Sequence, residues 1–359
     1  MLIDPLIWLR AVHFTATVLT CGTICFVLLV ADPVAAKLSE ELSEKASLAY
    51  AGLRRRLRLM AGLALVVTVI SGLAWLVWVA SGIVGEPVAE PFSDGSLWQV
   101  IVVTRFGNIA TLRLAVALLL GLSIVWSDTR RSSTRALSLA AAAVLVGLIA
   151  WTGHAGATPG AAGLLPLSAD ILHLVAAAAW LGGLPALASL LAFASHNAQV
   201  ARLAIATIRR FSILGLISVA VLIVTGVLNC WQLLGGLRDL WTSEYGRLLA
   251  LKVALFAAML MLAAINRQRL TPRLPESGAV SALYRNSLIE FALGLGVLLL
   301  VAALGTMNPS AHMHMSSAAT AQKSTIVYIH SFQTPADISR DAGQCPEVKA
   351  EAHLMRETI

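Results

Sequence analysis

Apolar residues do not alternate with polar ones along this chain; they come in blocks. Eight blocks, near residues 7–31, 59–82, 107–127, 135–152, 168–193, 211–234, 246–265 and 287–306, each approach the roughly 20 residues a helix needs to cross about 30 Å of hydrocarbon. Polar residues collect in the short connections between them. The pattern predicts an all-α fold, a polytopic transmembrane bundle of about eight helices spanning residues 1–309, because only internally hydrogen-bonded elements survive in lipid. Beyond it, residues 310–359 turn polar, with a linker at 316–323, a β-prone stretch at 325–332 and a charged end. That segment is expected to be an outward-facing, weakly ordered tail.

Composition agrees: 58% of residues are hydrophobic, 13% are charged and the mean hydropathy is +0.81, so lipid must be the solvent. The net charge of +7 would suit nucleic acid, but its position excludes that reading. Sixteen basic residues fall in alternate connections: Lys37, Lys45, Arg54, Arg55, Arg56 and Arg58 in the first, Arg130, Arg131 and Arg135 in the third, Arg202, Arg209 and Arg210 in the fifth, and Arg267, Arg269, Arg273 and Arg285 in the seventh. The intervening connections hold almost none, and residues 153–167 contain no Lys, Arg, Asp or Glu. The positive-inside rule then expects both termini to face outward, towards the periplasm of a bacterial inner membrane. The first block lacks a basic leader and an A-x-A cleavage pattern, so it is expected to be retained as a helix. Cys21, Cys25, Cys230 and Cys345 have no framework spacing and indicate neither a disulfide scaffold nor a zinc ribbon.

The blocks also repeat. His13 precedes Gly22 by nine residues and His173 precedes Gly182 by nine; "VISGLAWLVW" places Gly72 where "IVTGVLNCWQL" places Gly226; Gly107 lies six residues before Arg113 and Gly246 six before Lys252. Two parallel four-helix repeats, about 1–155 and 165–309, are expected, with a pseudo-twofold axis along the membrane normal. The fourth and eighth blocks align poorly, and shared apolar composition is the alternative to duplication.

Ionisable groups inside a bilayer cost about 2.5–3.5 kcal/mol each on insertion scales, so they usually face the bundle interior and bind something. His13, Arg113, His173 and Lys252 each lie five or six residues from the outward end of a block, with His154, Asp170 and Asn229 at the same side. His13, His154 and His173 are candidate metal ligands converging on one outer site, since neutral imidazole suits copper, zinc, iron or nickel. Asp170, one helical turn before His173, would orient the ring or bind the metal. Interhelical hydrogen bonding without metal is the alternative for each histidine. After the last block, "TMNPSAHMHM" puts Met307, His312, Met313, His314 and Met315 on the outward side; thioether and imidazole together select copper in either oxidation state. Arg113 and Lys252 would repel a cation unless compensated, or would snorkel to the headgroups. Glu290 reads as an exit ligand or as the salt-bridge partner of Arg285.

These residues resemble a known family. "VHF" with His13, "TGHA" with His154, "DILHLVAAAAWLGGL" with Asp170 and His173, "TGVLN" with Asn229, "LLALK" ending at Lys252, "NRQRLTP" and the late Glu290 are similar, in order and placement, to the copper resistance protein D (CopD) family over residues 1 to about 309. The resemblance implies an inner-membrane protein of copper homeostasis that moves copper ions from periplasm to cytoplasm without catalysis and works with a CopC-type periplasmic partner. It does not cover the His-Met tail. The competing reading is a b-haem electron-transfer protein with a single outer-side haem, in which Arg113 and Lys252 neutralise propionates. Homo-oligomerisation stays open; membrane lipid is the one certain neighbour.

Overall fold

A computed structural model of the chain describes residues 4–40, 43–84, 95–126, 132–153, 163–195, 200–233, 238–274 and 277–307. Every regular element among them is helical, and among the described residues eight segments are long and apolar enough to cross a membrane. The first is α1 (Pro5–Cys25), continued by a π-helical turn (Phe26–Ala31) and α2 (Asp32–Lys37). It starts cleanly because Pro5 occupies the first turn and Asp4 caps it, accepting from the Leu6 amide at 2.8 Å. α3 (Glu44–Val84) is the second span. α4 (Ser96–Val103) leads into α5 (Arg105–Trp126), the third. α6 (Ser132–Gly147) with its 3₁₀ end (Leu148–Thr152) is the fourth.

The fifth span joins α7 (Leu164–Leu181) to α8 (Leu184–Ser195) through Gly182 and Gly183. α9 (Ala201–Leu233) is the sixth. α10 (Asp239–Thr242) leads into α11 (Glu244–Ile265), the seventh, which ends in a second π-helical turn (Asn266–Leu270). α12 (Ser277–Leu304) is the eighth.

The first and fifth spans are the most enclosed, and the third, sixth and seventh are the most open. Leu118, Val125, Val224, Val227, Val253 and Met261 all point outward. In water that would be a large apolar patch; in a bilayer it is the lipid-facing wall. At the centre, α1 and α7 meet through backbone. A Cβ on Gly22 would collide with the backbone of Gly182 and the carbonyl of Ala178, and a Cβ on Gly182 with the carbonyl of Val18. Small residues at a crossing let two helices approach until main-chain atoms touch, the usual way helices associate where no hydrophobic drive separates them from lipid.

Two kinks set the register of the cationic helices. Thr104 is extended (φ −89°, ψ 145°) and so is Ser243 (φ −97°, ψ 151°), each ending a short helix. The Thr104 hydroxyl accepts from the Gly107 amide at 3.0 Å and the Ser243 hydroxyl from the Gly246 amide at 2.9 Å, capping α5 and α11. Both glycines lie where a Cβ would strike the preceding short helix at Val100 or Asp239. Six residues on, one and two-thirds turns, come Arg113 and Lys252.

Candidate functional site

His13, 2% exposed, turns away from α7 and into the space between α3 and α5. Its Nδ1 lies 2.9 Å from the Ser71 hydroxyl, whose single proton is engaged by the Val67 carbonyl at 2.6 Å. The Thr68 carbonyl also accepts from the ring. Arg113 donates from Nη2 to Nε2. A guanidinium has donors only, so Nε2 must carry the lone pair and the neutral ring must hold its proton on Nδ1, which Ser71 accepts. Gly72 leaves the space: a Cβ there would come within 3.1 Å of His13 Cε1. Trp75 closes the pocket edge-on, 5.6 Å between ring centroids.

His173 repeats this arrangement between α7 and α9. Its Nδ1 lies 2.9 Å from the Thr225 hydroxyl, which donates to the Val221 carbonyl at 2.7 Å. The proton is therefore again on Nδ1. Gly226 follows Thr225 as Gly72 follows Ser71, with its missing Cβ 3.6 Å from His173 Cε1. The two pockets differ at Nε2. In the second, no hydrogen bond to Nε2 forms among the described residues, and Lys252 stands within electrostatic reach of both His173 and Asp170 instead of bonding the ring. Asn229 donates to Asp170 Oδ1 at 3.4 Å. Fixing the Nδ1 proton with an acceptor orients the ring and leaves a basic Nε2, which is how proteins prepare imidazole for a transition metal.

The expected residues are thus distributed as follows. Asp170, His173, Asn229 and Lys252 come together, and His13 meets Arg113. His13 and His173 occupy separate pockets, and among the described residues no set of three or more His, Cys, Asp or Glu side chains gathers as a metal site. His154, His312, Met313, His314 and Met315 lie outside the described residues. Met307 packs against the apolar cluster of Tyr245, Leu249 and Leu304. Arg113 does not snorkel: it is 7% exposed and bonded to His13. Glu290, 2% exposed, accepts from Asn266 Nδ2 at 3.3 Å and from the Trp180 indole, so its partners are not Arg285.

Beside His13 and Arg113 is a cavity of about 30 Å³, reached also by Thr68, Trp75 and Thr152. Since a water needs about 10–15 Å³ of such space, it admits a water or two or a single ion, far less than a porphyrin. The haem reading does not fit the pocket, and the guanidinium that reading would give to a propionate is bonded to the imidazole.

Sequence reasoning overlooked the two hydroxyls, although "SG" and "TG" stand at matched places in the second and sixth blocks. It also missed Arg10, which is buried, donates to the Gly305 carbonyl at 2.7 Å and lies over the Trp75 ring at 5.2 Å. Its signal was present: a basic residue inside the first apolar block.

Comparison with known proteins agrees with the motif resemblance. Residues 1–164 match the family described as copper resistance protein D-like, N-terminal domain, and residues 205–304 match copper resistance protein D. The chain is 31% identical to the inner membrane protein YebZ of Escherichia coli over 230 residues, 64% of this chain and 77% of that protein. It is 35% identical to copper resistance protein D of Pseudomonas syringae over 46% of this chain and 56% of that one. It is 33% identical to copper transport protein CutJ of Bacillus subtilis over 61% of this chain and 40% of that one. The chain therefore spans only about half of the two copper-named relatives. No solved structure matches. Through these two matched regions, and through a relative 31% identical of which the chain covers 77%, the chain belongs to the copper resistance protein D family.

Proposed function

We propose that the chain carries copper ions across the bacterial inner membrane, taking them from the periplasm, with both termini on that side. The carrying observation is the His173 pocket. A neutral imidazole pinned through Nδ1–H to Thr225 keeps its Nε2 lone pair free, and the Asp170 carboxylate stands one helical turn earlier on α7 with Lys252 as a shared electrostatic neighbour, two donor types that accept copper in either oxidation state. His154, from the uncharged connection that precedes α7, supplies a further ligand. The tail residues His312, Met313, His314 and Met315, with Met307 at its root, capture metal before it reaches the helices.

Family membership and the names of two relatives, a copper resistance protein and a copper transport protein, support this reading. The alternation of basic connections supports the orientation. The matched pockets and kinks support descent from two parallel four-helix repeats with their axis near Gly22 and Gly182. In this reading Lys252 balances Asp170 while the site is empty and yields the carboxylate to the incoming ion. A periplasmic CopC-type protein delivers the copper. No catalysis is required.

The test is copper accumulation in sealed membrane vesicles whose periplasmic face is outward. His173→Gln should reduce uptake to background with normal membrane insertion, and unchanged uptake would reject the site. Removal of residues 311–359 should slow uptake at low copper and leave it normal at high copper. Loss at all concentrations would move the essential ligands into the tail.

A further inference from the structure

Glu290 belongs to neither histidine pocket. Its carboxylate is 2% exposed on a spanning helix, fourteen residues before Leu304 and therefore about 21 Å along the axis from that end. A carboxylate there is kept only if something offsets its desolvation.

No cation does so among the described residues. α8 contains no ionisable residue, and among the described residues no charged group on the other elements around α12, Arg247 and Arg273 included, pairs with the carboxylate. On α11, Lys252 interacts with Asp170, Cys230 and His173. In the π-turn, Arg267 donates to Ser212, and Arg269 has no contact with the carboxylate. On α1, Arg10 interacts with Asp4 and the Gly305 carbonyl, and His13 with Arg113. Cys21 donates to the Ala142 carbonyl at 3.1 Å, and Cys25 does not touch Glu290. On α12 itself Arg285 makes no contact with it.

What does meet Glu290 is neutral. Asn266 donates from the first residue of a π-helical turn, and is held there by Asn286, whose Nδ2 donates to Asn266 Oδ1 at 2.9 Å. Trp180 donates from α7. One turn before Glu290, the Ser287 hydroxyl is buried and makes no hydrogen bond among the described residues. The ionised carboxylate thus has two neutral donors and no counter-ion among the described residues, and the Ser287 hydroxyl, at the spacing that places side chains on one helix face, is not bonded to it. Local π-helical geometry is frequent at functional sites.

Position joins this group to the outer site. Trp180 follows His173 by seven residues on α7, two turns along the same face and about 10 Å deeper. We infer that Glu290 is a proton-binding site, set in the transport path two helical turns below the His173 pocket, that takes up a proton in one phase of the copper cycle and releases it in the other. The inference rests on the transport reading only for its linkage to copper. Occupation by a proton is a property of the metal-free chain.

Two measurements separate these. Infrared spectra of the purified full-length chain should contain a protonated-carboxyl band that disappears as pH rises and is absent from Glu290→Gln, while Glu290→Asp retains such a band. A wild-type spectrum without that band at any pH, or one whose band Glu290→Gln leaves in place, overturns the site. In vesicles, an imposed pH gradient should change wild-type copper uptake several-fold and leave Glu290→Gln uptake unchanged, with wild-type copper affinity at the outer site. Gradient-insensitive uptake by the wild-type chain overturns the linkage. A wild-type chain that moves no copper while showing the titrating band refutes the transport reading and upholds the proton site.

Discussion

Replacing Thr225 by valine removes one atom type and almost no volume, which makes it a sharp probe of the second pocket. The hydroxyl accepts the His173 Nδ1 proton at 2.9 Å and passes its own to Val221 at 2.7 Å. In Thr225→Val the buried Nδ1–H has no acceptor, at about 1–3 kcal/mol. The ring can relieve this by moving its proton to Nε2, but that consumes the lone pair a metal needs. Either route lowers copper affinity, by the roughly 10–100-fold typical when a ligand's supporting partner is lost, or about 1.4–2.7 kcal/mol. The assay is competition for Cu(I) against a chromogenic chelator in detergent, with thermal unfolding alongside. Thr225→Ser should restore affinity. Ser71→Ala, the matched change in the first pocket, should cost stability and leave copper affinity within about twofold, because Arg113 already occupies Nε2 there. Wild-type affinity in Thr225→Val, or an equal loss in Ser71→Ala, would refute the reasoning.

Other outcomes follow from the same packing. In Gly182→Ala a Cβ would lie 2.7 Å from the Ala178 carbonyl oxygen and 2.8 Å from the Val18 carbonyl carbon, atoms that cannot rotate away, so melting in detergent should show a loss at or above the roughly 1–3 kcal/mol of ordinary overpacking. Gly62→Ala, with nothing within 4 Å of its Cβ, should stabilise the same protein by about 0.5–1 kcal/mol. Asp32 receives Tyr50 at 2.7 Å and both arms of Arg54 at 2.9 and 3.0 Å; Asp32→Asn should cost about 1–3 kcal/mol by the same measurement, with little dependence on salt because the cluster is half-buried.

Much of the fold is legible in the blocks because lipid imposes one rule, that every spanning segment satisfies its own backbone. Eight blocks become eight spans, and the glycines paired across the halves recur at a helix crossing, beside imidazoles and behind capped kinks. The kinks themselves are not legible: Thr104 and Ser243 sit three residues before the third and seventh blocks, and nothing in periodicity says that a short helix will end there and a hydroxyl cap the next. The site is legible in residue type and depth but not in direction. α1 and α7 are apolar nearly all round, so the sequence does not say which way His13 and His173 turn. They turn outward from the central crossing because Gly22 and Gly182 bring the backbones too close for anything else, and because Gly72 and Gly226 open space on the far side. The partners of Glu290 were hidden for another reason. Trp180 lies more than a hundred residues away, and an apolar aromatic in an apolar block carries no sign that its N–H will be used.

The account stands on copper held by Nε2 of His173. X-ray absorption at the copper edge tests this directly, on the full-length chain with one equivalent of copper and with His312 and His314 replaced by alanine to silence the tail. Imidazole scattering should be present, should survive His13→Gln and should lose at least one imidazole's contribution in His173→Gln. An imidazole signal unchanged by loss of His173, or lost with His13 instead, would place the metal elsewhere and contradict the account.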